Sequence, residues 1–152
     1  MSQDGKILLR LDDAIPGLEE LDGVITIAVG VMDEATNPRT GGLVVEYAIY
    51  NEFGTQHIPA RPAMRQTLEY YEDSYEEGFA EMIMQGMDPE TAADILAQQM
   101  EGDIKNSIAE WTDPPNTEEV QERKKKNDGS LTGPLKDTGA YLGAIYARVE
   151  KG

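Results

Sequence analysis

The sequence predicts a mixed α/β fold of the α+β kind, a mainly antiparallel sheet with two principal amphipathic helices packed on it. Three observations carry this expectation. "VITIAVGV" (Val24–Val31) and "LVVEYAIY" (Leu43–Tyr50) are short, apolar and rich in β-branched residues, the composition of strands. From Pro62 the apolar period changes from two to near 3.6, the repeat of a helix with one buried face. Alternation returns near the end in "AIYARV" (Ala144–Val149). With 152 residues, 39% of them hydrophobic and 28% charged, the chain reads as one domain able to bury its own core.

Taken in order, residues 1–23 form an N-terminal extension in which "KILLRL" suits a short strand and "AIPGLEEL" fits a helical turn or a loop equally well. Residues 24–61 hold two strands and a corner. The turn-forming stretch "MDEATNPRTGG" separates the strands, which are expected to pair as antiparallel neighbours, and Gly41–Gly42 can supply positive φ. In "YNEFGTQHIPARP" (Tyr50–Pro62), Gly54 permits a sharp turn where the strand ends. Each proline of "IPARP" then restricts itself and its predecessor, so the stretch reads as a stiff strand-to-helix corner.

Residues 62–111 read as a helical pair. Met64, Leu68, Tyr71, Tyr75, Phe79 and Met82 lie on one stripe, with Glu69, Glu72, Asp73, Glu76, Glu77 and Glu81 mainly on the other side. Pro62 suits the helix start, Gly86 its stop, and Asp88 with Pro89 the N-cap and first position of the next helix. There Ala92, Leu96, Met100, Ile104, Ile108 and Trp111 form a second stripe. "WTDPPN" ends it, because a residue before proline is biased away from the α region. Residues 112–133 are polar, a short helix and then a loop. Residues 134–152 close the chain with a turn at "DTGAYL" and the final strand.

Composition restricts the chemistry. The absence of Cys removes disulfides, thiolate metal sites and thiol nucleophiles, and a single His, His57, removes multi-histidine sites within one chain. No apolar run approaches the ~20 residues that span a bilayer. The start of the chain lacks the basic, then apolar, pattern of a signal peptide, which points to a cytoplasmic product or one that leaves a cell without secretion. The formal charge is −16, from 29 acids against 13 bases. Such a chain is repelled by DNA phosphates, so sequence-specific DNA binding is not expected.

Several residues invite a chemical reading, and each has a plainer one. Glu52, His57 and Asp137 are a conceivable acid–base set for a hydrolase, since imidazole titrates near neutral pH; a loop His beside prolines is the simpler account. "DTG" at Asp137, Thr138 and Gly139 matches the triplet of aspartic proteases, but Asp and Thr side chains equally cap turns. The acids of the first helix suit divalent cations by type, yet their spacing follows a solvated face. The basic run Arg123, Lys124, Lys125 and Lys126 suits phosphate or an acid-rich partner surface, including another copy of this chain. Trp111 ends an apolar stripe, which favours core packing or a subunit contact. A third class is an acidic monomeric binding module of the DNA-mimic type.

"YAIYNEFGTQHIPARP" followed by a long helix resembles the tail-completion (neck, head-to-tail joining) and minor virion-morphogenesis proteins of tailed bacteriophages and prophages. A helix ending in Trp111, then "PPN", Thr117, the lysine stretch, "PLKDTG" (Pro134–Gly139) and "AIYARV" follow in the family's order, and "VGV" at Val29–Val31 resembles its first strand. Ala63 departs from the pattern, which usually has an aromatic after "RP". The resemblance spans Val24 to Val149. It implies a small α/β fold and a non-enzymatic virion role without cofactor or metal, made in the host cytoplasm. The implied assembly is a homo-oligomeric ring, six-fold or twelve-fold, between the head connector and the tail tube or tail terminator. DNA passes through it unbound. Asn51, Glu52, Phe53, Gly54, Thr55, Pro59, Arg61 and Pro62 are then structural or interface positions, with Trp111, the basic run and Asp137–Gly139 beside them.

Overall fold

The computed structural model describes residues 6–7, 25–32, 34–127, 134–135 and 139–151. Along the chain these form β1 (Lys6–Ile7), β2 (Ile25–Val31), α1 (Val44–Phe53), α2 (Ala63–Met84), α3 (Pro89–Glu110), α4 (Glu118–Asn127), α5 (Ala140–Ala144) and β3 (Ile145–Lys151). The fold is mixed α+β and mostly helical, an antiparallel sheet packed against α2 and α3. Val24 and the "AIPGLEEL" stretch lie outside the described residues.

The sheet rests on β2 and β3. They pair antiparallel over seven positions, from Ile25 opposite Lys151 to Val31 opposite Ile145, and the two-residue β1 adds to the far side of β2. Gly30 stands opposite Tyr146, and a Cβ there would lie 3.2 Å from the tyrosine hydroxyl. The missing side chain is the space the ring occupies.

One expectation fails here. Leu43–Tyr50 is not a strand: Val44 begins helix α1, with Leu43 as its N-cap. The buried residues Val44, Ala48 and Glu52 step by four, so one helical face meets the core, and that packing overrides the strand preference of Val, Ile and Tyr. Two further expectations fall with it. The long partner of β2 is β3 from the far end of the sequence, with β1 on its other side, and the corner before Pro62 joins helix to helix. The turn-rich stretch closes on itself instead, with a bridge between Thr36 and Leu43 and Gly41 at φ 74°.

The helical pair forms as its stripes demand. Asp88 accepts a hydrogen bond from the Thr91 N–H at 3.2 Å and Pro89 takes the first position of α3, so both signals read from sequence operate. Leu68, Tyr75 and Phe79 of α2 and Leu96, Met100, Ile104 and Ile108 of α3 are buried. They share a core with Ile27, Val29 and Ile145 of the sheet. Ala92, Ala93 and Ala97 line the buried side of α3 with small side chains. Tyr71, expected on the buried stripe, is exposed. At the other margin the Glu101 carboxylate accepts the Ala147 N–H of β3 at 3.1 Å, so α3 caps a donor on the sheet's edge. Ala144 closes α5 rather than opening β3. Among the described residues no helix is long and apolar enough to cross a membrane.

Candidate functional site

The corner singled out in the sequence brings together the end of α1, the start of α2 and the segment after α3. Gly54 ends α1 at φ 75°, a conformation that L side chains avoid, and its N–H still donates to the Tyr50 carbonyl. A Cβ there would meet the Ala60 nitrogen at 3.0 Å and the Ile58 oxygen at 3.1 Å. The chain doubles back tightly, and Thr55 fastens the turn. Its N–H donates to Ile58 O at 2.8 Å, while its hydroxyl accepts from the His57 and Ile58 N–H groups. Pro59 and Ala60 are exposed on the return.

Two buried charged groups hold this corner. Glu52 is 6% exposed, and its carboxylate accepts from the Met64 N–H at 2.6 Å and the Arg65 Nε at 3.2 Å. It thereby serves the unpaired donors that open α2 and places negative charge at that helix's N-terminus. Arg65 also donates to the Glu52 carbonyl and lies 4.5 Å from the centre of the exposed Phe53 ring. Burial raises the Glu52 pKa above the ordinary carboxylate value, outweighing the lowering by the Met64 N–H and by Arg65.

Arg61 is the second brace. It is 5% exposed and donates through Nε to Pro114 O at 2.8 Å and through Nη2 to Pro115 O at 3.0 Å. Its own N–H meets Asn51 O at 2.5 Å, and the Asn51 side chain donates to Tyr47 O at 2.8 Å. Through its backbone N–H and its guanidinium, Arg61 therefore ties the end of α1 and the entry to α2 to the segment that leaves α3. Pro62 is the N-cap of α2 rather than its first residue, and Ala63 behind it is fully buried, which leaves no room for the aromatic expected there.

Asn51, Glu52, Gly54, Thr55, Arg61 and Pro62 thus form one connected corner. The hydrolase set does not assemble at Glu52: its carboxylate turns to α2, whereas His57 is exposed and has no side-chain partner among the described residues. Asp137 and Thr138 lie outside the described residues. Gly139, at φ 82°, is the N-cap of α5, in keeping with a turn. Among the described residues no group of three or more His, Cys, Asp or Glu could hold a metal ion. Trp111 is partly buried at the end of α3, with its Nε1 enclosed and without a partner among the described residues. Arg123 is exposed on α4, and Lys124, Lys125 and Lys126 follow it to that helix's end.

Comparison with protein families, curated proteins and solved structures finds no match for this chain.

Sequence reasoning missed Arg65 and Tyr141. A cation in the first turn of a helix opposes the helix dipole, so Arg65 was itself a sign of a nearby carboxylate. Tyr141 is buried against the Tyr47 ring, edge to face at 5.5 Å, and its hydroxyl has no partner among the described residues. Burial, with Glu52 nearby, raises its pKa, and no local pattern announces that contact. The corner also displays apolar surface. Leu43, Ile49, Tyr50 and Phe53 are all exposed on or beside α1, and Phe53 is 60% exposed.

Proposed function

We propose that this chain is a structural subunit of the neck of a tailed bacteriophage or prophage. It works as a tail-completion protein in a homo-oligomeric ring between head connector and tail tube, passes DNA without gripping it, and catalyses no reaction. The observation that carries this reading is the corner itself. The residues on which the resemblance rests are committed to bracing three segments against one another: Asn51, Glu52 and Arg61 are buried and hydrogen-bonded, and Gly54 is held at positive φ. A brace of this kind presents a fixed surface to other subunits, and the apolar residues of α1 supply such a surface. The charge agrees. The stretch Arg65–Glu110 carries 12 acids and 2 bases, and a wall of that sign does not retain phosphates.

The test is deletion of the coding sequence from a phage or prophage that carries it, followed by electron microscopy of the particles. DNA-filled heads and separate tails, joined again when the protein is supplied from a plasmid, are the expected result. Intact infectious particles that lack the protein would reject the proposal.

A further inference from the structure

A cleft of about 850 Å³ opens between α2 and α3, on the side where Trp111 leaves the helical pair. Its walls carry Glu69, Asp103, Glu110 and Asp113, and among the described residues no basic side chain lines it. Glu69, Glu110 and Asp113 have no ion-pair partner among the described residues. Asp103 is fixed by the Tyr75 hydroxyl, which donates to it at 2.7 Å. Aromatic rings stand among the acids. Tyr70 is 80% exposed and meets Tyr71 edge to face at 4.8 Å, and Trp111 lies further along the wall. Carboxylates beside ring faces favour ammonium and guanidinium groups, by charge and by cation–π attraction.

The chain contains a segment of that chemistry: Arg123–Lys126 holds four of its 13 bases in one run. The run lies in the last turns of α4. It does not fill the cleft of its own copy through Arg123, which is exposed and makes no ion pair among the described residues.

We propose that the α2–α3 cleft receives the basic end of α4 from a second copy of this chain. The contact is head-to-tail, since cleft and α4 are different surfaces, and such a contact closes a ring where its rotation brings the last copy back to the first. It rests on the ring reading above and specifies which surfaces meet. Exposed charge pairs of this type are screened by salt, so the contact weakens as ionic strength rises.

Trp111 is the only Trp and lies in the cleft, so its fluorescence reports occupancy. The reporter copy carries Arg123→Glu, Lys124→Glu, Lys125→Glu and Lys126→Glu, which leave its cleft intact and remove its own ligand. It is mixed with a second, silent copy carrying Trp111→Phe and the natural α4. Both variants are checked by circular dichroism against the parent protein. A shift in reporter emission that grows with the silent copy, and is lost when that copy also carries the four Glu substitutions, is the expected result. An equal shift with either silent copy, or none up to millimolar concentration at low salt, overturns the proposal. So does an emission difference between reporter and parent at high dilution, which would put the run in its own cleft. Sedimentation of the same mixtures separates the two ideas: rings that persist with all four bases reversed keep the ring and discard this contact.

Discussion

Replacing Glu52 by Ala removes the group that caps α2 from the preceding helix. The Met64 N–H loses an ionised acceptor at 2.6 Å, and Arg65 loses a partner at 3.2 Å. Hydrogen bonds to charged groups contribute about 1.5–3 kcal/mol. The Arg65 side chain is 38% exposed and regains water, so its share stays within the range of about 0–1 kcal/mol seen for surface pairs. The net loss for Glu52→Ala is therefore about 2–3 kcal/mol, because removing a buried carboxylate also relieves its desolvation. For a domain of this length that is a fall of roughly 4–12 °C in Tm. Glu52→Gln keeps an acceptor for the Met64 N–H and sheds the charge, so it falls by less than about 1 kcal/mol. Because the folded-state pKa of Glu52 is raised, the folded protein holds this proton more tightly than the unfolded chain does. Stability contributed by this group therefore falls as pH rises from the ordinary carboxylate range through the raised value. Glu52→Gln lacks that loss and gains on the parent across the same interval. Thermal melts of the three proteins over a pH series test both parts. A Gln variant as unstable as the Ala variant, or an Ala variant that melts with the parent, would refute the reasoning.

Gly54→Ala forces a Cβ into the left-handed region and against the Ala60 and Ile58 backbone; a loss of roughly 1–3 kcal/mol is expected in urea denaturation. Arg61→Lys keeps the charge but cannot reach the Pro114 and Pro115 carbonyls with one planar fork. Faster amide exchange over residues 112–117, with α3 still protected, is the expected outcome, and unchanged exchange there would contradict the bracing role.

The helical pair was open to reading because its signals are local and agree with one another. Asp88 and Pro89 mark a helix start, and Leu68, Tyr75 and Phe79 repeat at the helical period. The α1 segment misled because Val44, Val45, Ile49 and Tyr50 favour strands, while short apolar runs fit either period. Gly54 directly after the run was a helix-stop signal and was instead consistent with a strand end. The site was legible in part. "NEFGT" and "IPARP" pointed to a corner, but nothing local shows that Glu52 reaches across twelve positions to Met64. Nor does it show that Arg61 reaches Pro114 and Pro115. Those partners are chosen by the packing of α1, α2 and the end of α3, which no single window of sequence contains.

The pairing of β2 with β3 spans about 110 intervening residues. Closing so distant a contact costs entropy that shorter-range pairings avoid, and folds dominated by such contacts form slowly. The α2–α3 hairpin, whose helices follow one another directly, can form without it. On a ribosome, β2 emerges while β3 is still to be translated, and until then Ile27 and Val29 have no strand on that side. The same register that completes the core therefore leaves a nascent chain with an open strand edge until β3 has been made. In that interval, pairing between neighbouring chains on one message competes with folding.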